Sequence, residues 1–164
     1  MTTNSITIQR NTIESTKSFE SVLDALAPAI GRPDMSVLQP RLMQAASFEE
    51  FSSMINGAVG SAGLMEFMRL DLGRALRMDP KVKAYKIVRI IAGNPLIMKQ
   101  MVEHVPDAGS YAPVTILVYE TTAGVNISYD TMESFIGPYG NAAALAVARD
   151  LDAKVMKLLE AAAA

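Results

Sequence analysis

The chain has 164 residues, the length of one domain able to bury a full core, and with 50 % hydrophobic and 20 % charged residues it is not disordered over most of its length. A net charge of −2, a pI near 5.4 and no run of Lys or Arg argue against a nucleic-acid-binding face, which needs concentrated basic charge. The absence of cysteine excludes disulfides, thiolate nucleophiles, iron–sulfur clusters and Cys-based zinc sites, and a single histidine, His104, is too few for a His-rich metal site.

Ser5 to Arg10 reads as the first strand, because Ile6 and Ile8 share one face of an alternating run. Ser15 or Thr16 then offers an N-cap to a helix whose apolar stripe is Phe19, Val22, Leu23, Leu26, Ala27 and Ile30. Gly31 and Pro33 end that helix, Gly by tolerating the left-handed cap and Pro by lacking an amide donor. Residues 32–63 read as a helical insertion within one domain spanning 1–164. Inside it Ser47 and Glu50 are spaced as a capping box, Phe48, Phe51, Ile55 and Val59 recur along one side, and Gly57, Gly60 and Gly63 weaken the helix toward its end.

Leu64 to Leu72 returns to strand character, Asp79-Pro80 marks a turn, and Tyr85 to Ile91 is a strand rich in β-branched residues and bounded by Gly93. Asn94 caps the following helix and Pro95 takes its first position, where a missing amide hydrogen costs nothing. Ile97, Met98, Met101, Val102 and Val105 line the inner face of that helix, and Pro106 and Gly109 close it. Val114 to Glu120 and Val125 to Asp130 form a hairpin through Thr121–Gly124. A last helix from Asn141 to about Glu160 turns Leu145, Ala148, Leu151, Val155, Leu158 and Leu159 inward, and Ala161 to Ala164 is expected to fray. The order β–α–(helical insert)–β–β–α–β–β–α predicts an α+β fold in which an antiparallel sheet of about five strands carries helices on one face.

Met1 to Arg10 lacks the charged and apolar regions of a signal peptide, so a cytoplasmic location is the expectation. The apolar runs are far shorter than a membrane span.

Several motifs recur in a familiar order: Gly93-Asn94-Pro95 after a strand, Ala112-Pro113-Val114-Thr115-Ile116-Leu117-Val118-Tyr119-Glu120, and Ile127-Ser128-Tyr129-Asp130. Together they resemble the bacterial and archaeal family called domain of unknown function 302, whose fold is described as TT-1751-like. Arg69-Leu70-Asp71 is similar to the start of a preceding strand-end motif of that family. The resemblance covers about residues 1–31 and 64–160. It implies a compact α+β domain, often dimeric, without an agreed biochemical role. Two departures matter. Many relatives carry a histidine after the residue matching Asp71, where this chain has Leu72, and others carry a cysteine after the residue matching Pro113, where this chain has Val114.

Each candidate site residue has a functional and a plain reading. His104 serves as a general base or a haem ligand, or simply as a cation at the negative end of a helix. Gly93-Asn94-Pro95 forms an anion pocket at a helix N-terminus, with Arg69, Arg74 or Arg89 as counter-charges, or just a capped turn. Asp71, Asp107, Glu120 and Asp130 are strand-end and turn carboxylates that do acid–base work only if folding brings two together. Tyr119, with Tyr111, Tyr129 and Tyr139, suits a pocket rim or an interface. Met65, Met68, Met98 and Met101, four of eleven methionines, line an adaptable apolar pocket or fill an irregular core.

The expectation is therefore a homodimeric, non-enzymatic protein that binds a small apolar or anionic ligand, or a partner, in a Met-lined groove beside the 32–63 segment. It needs no cofactor. The alternatives are a haem protein using His104, and an enzyme pairing His104 with Asp107 or Asp71.

Overall fold

Val114, Ile116 and Val118 are buried while Thr115, Leu117 and Tyr119 between them are half-buried, so the period-two alternation of that strand assigns one of its faces to the interior. The same alternation, running through neighbouring strands, sets the layering of the molecule. The computed structural model describes residue 3 and residues 5–164. In chain order its elements are β1 (Arg10–Ser15), α1 (Phe19–Leu26), β2 (Ile30–Gly31), α2 (Met35–Met43), α3 (Phe48–Ala58), β3 (Leu64–Asp71) and α4 (Gly73–Met78). There follow β4 (Ile87–Gly93), α5 (Pro95–Val102), β5 (Val114–Glu120), β6 (Val125–Asp130), α6 (Met132–Ile136) and α7 (Ala142–Ala163).

The strands of the described residues form a six-stranded sheet in the order β1-β6-β5-β4-β3-β2. All neighbours are antiparallel except β2 and β3, which run parallel. This is the expected α+β architecture, with the two-residue β2 as the additional strand. Val88, Ile90, Ala92, Ile116, Val118, Ile127 and Tyr129 face the main core, where α1, α5, α6 and α7 supply Val22, Leu26, Met101, Ile136, Ala148 and Val155. On the other face the register aligns Leu70, Arg89, Leu117, Ser128 and Thr12 in one row. A second apolar cluster joins Leu38 of α2 and Ile55 of α3 to Met65 of β3. Among the described residues no helix is long and apolar enough to cross a membrane.

Several boundaries differ from the expectation, each for a tertiary reason. The first strand is Arg10–Ser15, not Ser5 to Arg10, and Ile8 is exposed. Only the later stretch pairs along the whole of β6, from Arg10 opposite Asp130 to Ser15 opposite Val125, with the Arg10 guanidinium gripping both oxygens of Asp130 at 2.6 and 2.8 Å. Ser18 caps α1 instead of Ser15 or Thr16, because the Ser15 hydroxyl is occupied in donating to the Ala163 carbonyl at 2.7 Å. That bond, with the Lys17 ammonium on the Ala162 carbonyl at 3.2 Å, satisfies carbonyls that a helix C-terminus leaves open. The expected fraying of Ala161 to Ala164 is thus replaced by a docked helix end in which Ala162 and Ala163 are buried.

Ile30 leaves the α1 stripe and enters β2, opposite Leu64. Gly31 and Gly60 are required there by close backbone approach, since a Cβ would stand 2.0 Å from the Ala58 carbonyl at Gly31 and 2.5 Å from the Ala29 carbonyl at Gly60. Gly60 and Gly63 lie beyond the end of α3, so they do not weaken that helix as expected. The Ser47 cap holds, its hydroxyl accepting from the Glu50 amide at 3.1 Å, but the Glu50 carboxylate reaches back one residue further, to the Ala46 amide at 2.9 Å. β4 is shifted two residues toward Gly93, and α5 stops at Val102, well before Pro106.

One buried carboxylate ties three elements together. Asp152 of α7 accepts from the Tyr129 hydroxyl at 2.6 Å, the Met132 amide at 2.7 Å and the Glu133 amide at 2.9 Å. It therefore fastens the end of β6 and supplies the first turn of α6 with an acceptor that Thr131 does not provide. Asp152→Ala leaves three donors unsatisfied, two of them buried, and chemical denaturation is expected to show a loss of about 3 kcal/mol. Burial first, and the Asp152 charge second, push the Tyr129 phenol well above the usual value near 10. Its contribution to stability is therefore complete below about pH 10 and falls as pH rises further, because the unfolded chain releases a proton that the folded one keeps. Unfolding curves above pH 10 are expected to be steeper in pH for the wild type than for Tyr129→Phe.

Candidate functional site

Asn94 sits where β4 becomes α5, and its side chain works in two directions. Its Oδ1 accepts from the Leu96 amide at 2.8 Å, capping the helix, while its Nδ2 donates to the Gly63 carbonyl at 2.9 Å. Pro95 occupies the first helical position. The start of α5 is thereby pinned to the loop before β3, and the helix is held at a fixed angle with Ile97, Met98 and Met101 toward the sheet. Its N-terminus is used up by this cap. The amide an anion would have met is already bonded to Asn94.

Beneath the helix lies a cleft of about 200 Å³ lined by Phe67, Ile97, Met98, Met101, Val114 and Leu151. Gly93, Asn94, Ala112 and Pro113 complete its rim. Phe67 reaches it through a register shift between Glu66 and Met68, which breaks the simple alternation of β3 at that residue. Gly93 is closely packed between Phe67 and Pro113, so a Cβ there would lie 3.3 Å from the phenyl ring and 3.2 Å from the proline. Leu151 arrives from α7, one residue before the Asp152 anchor. Among the described residues no ionisable side chain lines this cleft. Its chemistry is that of dispersion and apolar burial, with thioether chains able to adapt to the shape of a guest.

Of the residues singled out in the sequence, the fold brings Gly93, Asn94, Met98 and Met101 together. The others lie elsewhere. Met65 is fully buried in the second cluster, and Met68 is 52 % exposed. Tyr119 is on β5, where its hydroxyl accepts from Asn126 Nδ2 at 3.3 Å. Asp71 is exposed at the end of β3, where it accepts from the Arg74 amide at 3.0 Å and pairs with Arg77, whose guanidinium holds its carboxyl below the usual range. His104 is exposed just past α5, its Nε2 3.9 Å from Glu103. Arg69 is engaged by Glu66 at 2.6 Å. The lining residues that were not site candidates in the sequence are Phe67, Ile97, Ala112, Pro113, Val114 and Leu151. A register shift decides the first, Ile97 and Leu151 were read as core-facing helix positions, and Ala112, Pro113 and Val114 stood in the quoted motif without any sign that they border a cleft.

A family model described as "Domain of unknown function DUF302" matches residues 41–162 of the chain. No curated protein matches it. Among solved structures it is similar to the crystal structure of an uncharacterized conserved DUF302 protein from Bacillus stearothermophilus, with a TM-score of 0.64 at 12 % identity, covering 93 % of this chain and 97 % of that one. At that identity the likeness is one of fold.

Proposed function

The chain belongs to the DUF302 family, and from that premise we propose that it is a non-enzymatic binding module, a homodimer that takes a small apolar ligand into the cleft under α5. One observation carries the reading: every side chain lining that cleft is apolar except Asn94, whose polar atoms are committed to the Leu96 amide and the Gly63 carbonyl. Nothing there can shuttle a proton or attack a substrate. An apolar cavity of about 150 Å³ holds a guest the size of benzene, so the cleft, at about 200 Å³, suits a single ring or a short branched chain. Met98 is half-buried and forms the adaptable part of the wall, while Met101, fully buried, forms its base.

Support for self-association comes from the α2–α3 pair. Met43, Phe48 and Val37 are 82 %, 61 % and 55 % exposed, an unusual concentration of large apolar side chains in one short stretch of chain. A second copy is the partner whose surface is equally apolar at the same place.

Toluene titrated into protein labelled at its methionine methyls is expected to shift Met98 and Met101 saturably and to leave Met43 and Met78 unmoved. Met98→Glu, which sets a carboxylate in the wall, is expected to abolish the shift at Met101. Unmoved Met98 and Met101 signals at saturating toluene would falsify the ligand reading. For the dimer, light scattering is expected to give twice the 17.6 kDa chain mass, and Met43→Lys combined with Phe48→Asp is expected to halve it. A wild-type mass of one chain rules the dimer out.

A further inference from the structure

We propose that the chain has a second ligand site, on the sheet face turned away from the main core, that binds a small carboxylate with an apolar or aromatic body through Arg89. This goes beyond the apolar cleft and rests on other side chains, although the two cavities share Pro113 and Val114 at their border. A cavity of about 540 Å³ opens there, lined by Arg89, Thr115, Ser128, Leu117, Tyr111 and Phe135 among others.

The argument begins from charge. Arg10 is paired with Asp130, Arg69 with Glu66, Arg77 with Asp71 and Arg149 with Glu133. Arg32 reaches Glu66 at 3.8 Å, Lys86 lies between Glu20 and Glu120, and Lys99 holds Glu103. Arg89 has no carboxylate within 4.0 Å among the described residues. The Asp130 carboxylate also lines the cavity, but both its oxygens are taken by Arg10, which holds its carboxyl below the usual range and so keeps it charged and committed. The cavity therefore contains one guanidinium whose charge the protein does not neutralise.

That guanidinium is also oriented. Arg89 Nη2 donates to Thr115 Oγ1 at 3.1 Å, which fixes one arm and leaves the remaining N–H donors of the fork uncommitted. Because Thr115 Oγ1 accepts from Arg89, its own proton is available to a ligand. In the same cross-strand row as Arg89, Ser128 lies one strand beyond Leu117, so a second hydroxyl lines the cavity farther from the guanidinium. A planar fork with the Thr115 hydroxyl beside it matches the two oxygens of a carboxylate better than a point charge would.

The rest of the wall is apolar. Tyr111 and Phe135 stack with ring centroids 4.7 Å apart and planes 13° apart, and the Tyr111 hydroxyl is engaged with that of Tyr139 at 2.9 Å. Leu72, Leu117 and Met132 extend this surface. A ligand with one negative end and a ring or branched chain at the other meets both halves.

The test uses the full chain, calorimetry and three probes: benzoate, benzyl alcohol and inorganic phosphate. Benzoate is expected to bind saturably, with benzyl alcohol and phosphate each weaker by about tenfold or more. Arg89 is exposed, so Arg89→Gln is expected to keep the wild-type melting temperature and to weaken benzoate by about tenfold. Arg89→Lys, which keeps the charge without the fork, is expected to fall between the two. Equal binding of benzyl alcohol overturns the charge recognition, and equal binding of phosphate overturns the apolar half. Benzoate binding untouched by Arg89→Gln places the ligand elsewhere, in the apolar cleft included, and ends the proposal whether or not toluene binding there holds.

Discussion

The Asp152 carboxylate is the constraint on which the rest of the molecule hangs. A buried charge is costly unless every lone pair is used, and here a tyrosine hydroxyl and two backbone amides converge on it. Those donors come from β6 and from the first turn of α6, while the acceptor sits midway along α7. The bonds therefore dictate at what height α7 crosses the sheet. Apolar packing alone would tolerate sliding of a helix so rich in alanine, since Ala144, Ala148 and Ala162 offer small and similar contacts. A hydrogen-bonded anion does not.

That placement carries directly to the candidate sites. Leu151 precedes Asp152 and forms one wall of the apolar cleft, so the anchor sets the depth of the cleft. The far end of α7 is fastened in turn by Ser15 and Lys17, which links it to β1 and, through Arg10, to Asp130 at the rim of the second cavity. Both cavities border Pro113 and Val114 at the start of β5. They differ in electrostatics rather than in position along the chain. Among the described residues one holds no ionisable group, and the other holds the Arg89 guanidinium beside an Arg10 that Asp130 neutralises. Exposed ion pairs contribute little stability one by one. Within this cavity, the Arg10–Asp130 pair leaves Arg89 as the guanidinium without a carboxylate partner.

Much of this was legible in the residues. Asn94-Pro95 announced the start of α5, the Val114–Glu120 and Val125–Asp130 strands have the bounds that their β-branched runs suggest, and the α7 stripe correctly names Leu151 and Val155 as inward. These features are set by caps, turns and periodicity within a few residues, which any local segment expresses by itself. Met98 and Met101 were identifiable as inner-face residues for the same reason, being on one side of a short capped helix.

What the tertiary structure alone decided involves partners far apart in the chain. The alternation at Ser5 to Arg10 is as good as that at Arg10 to Ser15, and only pairing with β6, 120 residues away at the Arg10–Asp130 bond, selects the second. Phe67 enters the cleft through a register shift that exists only against β4. Asp152 looks like one more polar residue on a helix until Tyr129 and α6 close over it. Arg89 was one of three arginines named as counter-charges, and only the structure shows Arg69 taken by Glu66 and Arg89 set in the second cavity instead of at the start of α5. Local sequence determines which elements form, because their hydrogen bonds close within a turn or along a strand. Which charges and apolar side chains remain unsatisfied depends on distances that only the assembled sheet and helices define.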